Sequence, residues 1–189
     1  MMGRLARNPL TWVAIGVLAA GGVFGLYWFQ PWKLFTSATV NEALPSIDAP
    51  QTSAPAANGP TTAPPPTNAP GGNKLLASGT LITHEHETSG TVRLVQLGAG
   101  KIQLVFENLS TSDGPDLRIW LTDQPVLGGR DGWHVFDDGR YVELGRLKAN
   151  RGNQVYDVPA GTDVDGLTSV SIWCKRFAVS FGAADLQPA

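Results

Sequence analysis

The chemistry open to this chain starts from one thiol. Cys174 is the only cysteine among the 189 residues, so it makes no internal disulfide and is either free or paired between molecules. It closes the run Val170-Ser171-Ile172-Trp173-Cys174. Period-two alternation puts Val170, Ile172 and Cys174 on one apolar face, where a free cysteine packs as a small inert hydrophobe. Two features speak for reactivity instead. Lys175 and Arg176 follow directly, and nearby positive charge favours the thiolate. The next run places Phe177, Val179 and Phe181 on its apolar face with the opposite parity. The phase must therefore slip near Lys175-Arg176. A β-bulge would do this, and bulges are over-represented beside functional sites; alternatively, both faces of the strand are covered.

A second group of donors could bind a metal. His84 and His86 flank Glu85, and on a strand residues i and i+2 point the same way, as paired imidazole ligands do. Asp116, His134 and Cys174 are the remaining donors in range of a shared site, and His86, Asp116 and Cys174 form the candidate metal set. The competing view of His84-Glu85-His86 is a solvated polar segment. Asp116 follows the turn formers Gly114-Pro115, where its carboxylate is expected to bond backbone N–H groups of the turn rather than a metal. G-x-S-x-G, H-E-x-x-H, the phosphate-cradling P-loop and C-x-x-C are all missing from the sequence, so common hydrolase and dithiol chemistry has no support. From residue 75 onward ten Lys and Arg face fourteen Asp and Glu. No basic cluster is present to hold a phosphate backbone, which excludes a nucleic-acid partner.

These residues need a scaffold, and the alternation after Leu75 supplies one. Thr91 to Leu97 and Lys101 to Phe106 read as a hairpin around Gly98-Ala99-Gly100. Further strands are predicted at Ser78 to Thr83, Asp116 to Thr122, Arg140 to Lys148, Asn153 to Val158, Thr168 to Cys174 and Phe177 to Phe181. No helical stripe follows residue 75. About eight short strands between turns predict an all-β fold, an antiparallel β-sandwich. The loop-like stretch Gln124 to Gly139 carries Trp133, Val135 and Phe136, either as a binding surface or as side chains pinning the loop to the sandwich.

Ahead of the domain, residues 1–9 form a basic N-terminus with Arg4 and Arg7, and residues 10–32 form a transmembrane anchor. Leu10 to Phe29 holds twenty residues without a charge, enough helix for about 30 Å of hydrocarbon. Tyr27, Trp28, Phe29 and Trp32 crowd one end at headgroup level, and the basic start places the N-terminus in the cytoplasm and the domain outside. A cleaved signal peptide is the alternative, opposed by the long apolar run and by the poor cleavage site at Thr36-Ser37-Ala38. Gly21 and Gly25 also make a G-x-x-x-G spacing that permits close helix packing. Residues 33–74 are expected to be a disordered linker; eight prolines lie between 36 and 74. As a tether it would reach on the order of 100 Å and hold the domain off the bilayer. The folded unit is expected over residues 75–187.

Several runs together resemble a known family. They are Gly114-Pro115-Asp116-Leu117-Arg118-Ile119-Trp120-Leu121, Leu144-Gly145-Arg146-Leu147-Lys148, Gly152-Asn153-Gln154-Val155-Tyr156-Asp157-Val158-Pro159, and Ser169 to Phe177 with Phe181-Gly182-Ala183-Ala184. With Glu85-His86 and Ser89-Gly90 they resemble the DM-thirteen domain, labelled an electron-transfer domain, over nearly all of residues 77–186. Ala149 stands where that family often has Gly. The resemblance implies a β-sandwich outside the cytoplasm with the cysteine at Cys174 as redox centre, either as a bare thiol or as a ligand to haem or to a copper or iron ion. No cytochrome-like domain accompanies it in this chain, so the expected partner is a separate redox protein. The expectation is a single-pass plasma-membrane protein with a redox role centred on Cys174. The alternative is a non-catalytic surface module that binds a partner or cell-surface polymer through Trp133, Phe136 and Tyr141, with a buried structural cysteine.

Overall fold

A computed structural model describes residues 9–47 and 72–189. The basic N-terminus with Arg4 and Arg7, and the middle of the proline-rich segment, lie outside the described residues. The apolar run is one helix, α1 (Pro9–Phe29), with no buried residue, as expected of a helix whose neighbour is lipid. Pro9–Lys33 is long and apolar enough to cross a membrane. The helix stops at Gln30, which adopts a left-handed conformation with φ 44°, and Pro31 cannot continue the hydrogen-bond ladder. A short 3-10 helix, Pro31–Phe35, follows.

The remaining described residues form eleven strands: β1 (Thr39–Asn41), β2 (Lys74–Thr80), β3 (Ile82–Thr83), β4 (Ser89–Gln96), β5 (Ile102–Ser110), β6 (Leu117–Thr122), β7 (Tyr141–Arg146), β8 (Arg151–Asp157), β9 (Ser169–Cys174), β10 (Val179–Asp185) and β11 (Gln187–Pro188). They make two sheets, ordered β1-β8-β5-β4-β2-β11 and β3-β10-β9-β6-β7. Every pairing is antiparallel except β1 with β8. The core joins the sheets. Val92, Leu104 and Phe106 from one sheet meet Ile119, Val170, Ile172 and Phe181 from the other, all nearly or fully enclosed. The inner faces of the two sheets meet in this core, so this is the expected sandwich, and β9 is buried at every position because its outer face is covered as well. Gly90, at φ 129°, sits at a register shift of the β4–β5 hairpin, where an added Cβ would meet the Glu107 carbonyl at 2.9 Å; only glycine fits there.

The segment expected to be a free tether begins as structure instead. Arg176 Nη1 donates to the Trp28 carbonyl at 2.6 Å and to that of Tyr27 at 3.3 Å, occupying carbonyls that a helix end leaves without partners. Phe29 stacks on Phe177 at 5.7 Å. Lys33 pairs with Asp113 at 3.4 Å and Thr36 Oγ1 donates to the same carboxylate at 2.8 Å. β1 then pairs along β8, and Glu42 accepts from Lys148 and from the Val155 N–H, both at 2.7 Å. Asn73 Nδ2 donates to the Ser46 carbonyl at 2.8 Å. The two ends of the proline-rich segment therefore meet. Residues 31–42 thus lie against the domain directly after the helix. Residues 48–71 of the expected linker lie outside the described residues; its start packs on the domain because β8 offers it an unpaired edge, which composition does not report.

Candidate functional site: the turn over Cys174

Cys174 is the last residue of β9, opposite Leu117 of β6 and Val179 of β10. It is 0 % exposed and belongs to the core cluster with Leu117, Ile172, Val179 and Phe181, so the face read from the alternation is correct. The tight turn Lys175–Ala178 follows, closed by the Phe177 N–H on the Cys174 carbonyl at 3.2 Å. Ala178 has φ 50°, and its carbonyl accepts from His134 Nδ1 at 2.6 Å. The register shift falls between Ser180 and Gly182. The phase is thus reset by this turn, which contains Lys175-Arg176, and by a bulge deeper in β10.

Burial pushes the thiol pKa up, and the nearby Asp116 charge adds to that. Opposing both are the backbone N–H groups of Phe177, Arg176 and Asp116, which act on the sulfur and favour the thiolate. Burial prevails, so the resting group is a protonated thiol. The basic side chains expected to help it are directed elsewhere. Lys175 Nζ reaches Glu143 at 3.2 Å, and Arg176 reaches the helix carbonyls.

The three candidate metal ligands do not assemble. Among the described residues no group of three or more His, Cys, Asp or Glu is placed to hold a metal ion. Asp116 is held by Arg118 Nε at 2.8 Å and Arg146 Nη2 at 3.3 Å, and it is Asp113 that accepts the Gly114 N–H of the turn, at 2.8 Å. His86 meets Glu85 at 2.6 Å and its ring lies 3.9 Å from that of Phe181. His84 faces away from His86, because residues 84–86 form a bend and not a strand. Its Nε2 donates to the Leu127 carbonyl at 3.0 Å, which leaves Nδ1 to accept from the Ser180 hydroxyl at 2.9 Å. A sulfur packed on all sides by core atoms offers neither an open coordination position for copper or iron nor space for a porphyrin. The residues present do not fit such a group.

The outer face of the β3-β10-β9-β6-β7 sheet holds Trp120 and Trp173, which the sequence reading missed, beside Tyr141 and Phe136, which it named. Tyr141 stacks on Trp120 with ring centroids 3.9 Å apart and planes 10° apart. Trp120 stacks on Trp173 at 5.0 Å and 24°. Trp173 meets Phe136 edge-on at 6.2 Å, and Phe136 lies 5.8 Å from His84. Phe136 is fully enclosed and Trp133 packs against the core, so the Gln124–Gly139 stretch clamps this face and does not present an exposed aromatic patch. Gly132 lets the loop in; a Cβ there would strike the Leu127 carbonyl at 2.0 Å. Beside the stack, Glu143 accepts from Arg118 Nη1 at 2.7 Å and from the Trp120 indole N–H at 3.3 Å. Burial alone would raise the Glu143 pKa. The hydrogen bonds of Lys175 and Trp120 and the charge of Arg118 bring it below the ordinary carboxylate value. The available signal was parity: Trp120 and Trp173 occupy the non-core positions of adjacent strands, where a solvated face would carry polar residues.

Between anchor and domain lies a mainly apolar cleft of about 250 Å³, lined by Phe29, Lys33, His86, Asp113, Phe177 and Phe181 among others.

A family model described as Electron transfer DM13 matches residues 80–186. No curated protein and no solved structure matches the chain.

Proposed function

The chain belongs to the Electron transfer DM13 family, and on that premise we propose that it is a single-pass plasma-membrane protein whose extracytoplasmic domain exchanges electrons with a separate redox protein, with Cys174 as its thiol centre. The observation that carries the reading is the placement of the domain's one thiol, a free cysteine at the end of β9 that is enclosed by the core and followed at once by the short turn Lys175–Ala178. The thiolate is the electron-rich form of such a centre, and burial, which raises the thiol pKa, holds it back until the turn opens. The thiol is therefore a guarded centre, sheltered from indiscriminate oxidants and made reactive by a local movement of Lys175–Ala178.

The test uses the full chain in phospholipid nanodiscs beside its Cys174→Ser variant. Film voltammetry is expected to give a wave that the variant lacks, and maleimide labelling of Cys174 is expected below the denaturant concentration that unfolds the domain. Full enclosure of the sulfur favours a second reading, a surface binding module with a structural cysteine. A thiol that labels only on global unfolding, with no wave depending on it, would establish that second reading.

A further inference from the structure

We propose that Tyr141, Trp120 and Trp173 form a one-electron relay running from the surface of the domain to the strand that ends in Cys174, with Glu143 as the proton acceptor for Trp120. The inference rests on the electron-transfer reading, but it does not use the thiol.

Three observations carry it. The rings are in direct contact and nearly parallel at both junctions, 3.9 Å and 10° for Tyr141 on Trp120, 5.0 Å and 24° for Trp120 on Trp173. Face-on contact gives the π-orbital overlap on which electron exchange between aromatic side chains depends; packing alone would be served as well by edge-to-face pairs or aliphatic residues. Exposure is graded along the chain, from 42 % at Tyr141 to 3 % at Trp120 and 1 % at Trp173. A relay needs one end that a partner can touch and an interior shielded from water. Finally, the Trp120 indole N–H is bonded to a carboxylate, at 3.3 Å. An oxidised indole is a strong acid, and a fixed carboxylate within reach can take its proton as the electron leaves. Arg118 and Lys175 keep Glu143 ionised and so ready to accept.

The step balances as follows. A one-electron oxidant at the Tyr141 surface gains one electron, and Trp120 loses it. The indole N–H bond breaks, and its proton forms an O–H bond on Glu143 Oε2. Trp173 then passes one electron to Trp120, the proton returns from Glu143 to the indole nitrogen, and the vacancy sits on Trp173, one peptide bond from Cys174. A one-electron reductant refills it.

The test uses the full chain in nanodiscs, carrying Asp138→Cys and Cys174→Ser. A ruthenium polypyridyl complex is attached at position 138 and flash-quenched to ruthenium(III) with hexaammineruthenium(III). Transient absorption is expected to show a neutral tryptophanyl radical. Adding Trp120→Phe, which keeps a stacking ring, is expected to remove most of that signal and leave a tyrosyl radical; Trp133→Phe leaves it intact. Adding Glu143→Gln keeps the stack and is expected to replace the neutral radical by the cation radical. Near-ultraviolet circular dichroism verifies that each variant is folded. A tryptophanyl signal that is absent in the parent, or equal in the parent and in Trp120→Phe, overturns the relay. A neutral radical that persists in Glu143→Gln overturns the role of Glu143. Because Cys174 is absent throughout, failure of the thiol reading and failure of the relay are read separately.

Discussion

Arg176 donates to the main-chain carbonyl of Trp28 at 2.6 Å, so the turn that covers Cys174 is fastened to the end of the membrane helix. Phe177, next in sequence, stacks on Phe29 of that helix. The turn that follows Cys174 is therefore held to the end of the apolar helix by two neighbouring residues.

Removing the fastening should loosen the cover. Arg176→Ala loses an exposed charge-assisted hydrogen bond, a change of about 1 kcal/mol, which is about fivefold in the opening equilibrium. Maleimide labelling of Cys174 in nanodiscs should accelerate by about that factor while the global unfolding midpoint barely moves. An unchanged labelling rate would show that the anchor does not hold the turn.

The contacts of residues 28–42 with the domain make a prediction opposite to that of a stalk. A protease site placed between residues 48 and 71 and cut in membrane vesicles would release a stalked domain into the supernatant. Here the domain should stay with the membrane pellet, held by β1 on β8, by Glu42 with Lys148 and by Arg176 on the helix end. Release should follow only when the ion pairs are also weakened, by high salt or by Lys148→Ala.

His84 should make stability depend on pH. Desolvation by burial lowers its pKa from the ordinary 6.5, against the opposing pull of the Leu127 carbonyl. The unfolded chain then binds the proton more readily than the folded one. The contribution is fully present above the unfolded value and is lost as pH falls below about 6.5. Thermal unfolding should therefore shift to lower temperature between pH 7 and pH 5, and His84→Gln should flatten that part of the profile. A profile unchanged by the substitution would place the pH dependence elsewhere.

Cys174 should matter to stability even where it does no chemistry. Cys174→Ala removes one fully buried heavy atom from a packed core, a loss of about 1 to 2 kcal/mol by urea denaturation. Cys174→Ser adds a buried hydroxyl, whose cost the nearby N–H groups of Phe177, Arg176 and Asp116 should soften. If the serine variant is much less stable than the alanine variant, those groups do not serve an oxygen at the sulfur position.

Much of the architecture was legible in residue order because it rests on local regularities. Alternation located β4, β5, β6, β7, β8 and β9 to within a few residues, since one buried face per sheet forces a period of two. It also assigned Cys174 to the core side. β1 and β11, at three and two residues, carry no such pattern; a strand that short exists because a neighbour's free edge receives it. His84 and His86 were read on one strand face, yet the chain bends there to meet β10, with the His84 N–H on the Phe181 carbonyl at 3.1 Å.

By itself, the sequence determined that an apolar helix is joined to a β-sandwich, that the one thiol lies in the core, and that the family is that of electron-transfer domains. These follow from composition, periodicity and motif, all properties of neighbours along the chain. The tertiary structure alone decided what Asp116, His86, Arg176 and Trp120 touch. It withheld the first two from Cys174, turned the guanidinium of Arg176 to the anchor, and laid Trp120 between Tyr141 and Trp173. The physical reason is that contacts across strands depend on register, twist and turn geometry, where a one-residue shift sends a side chain to the other face. No count of residues along the chain carries that information.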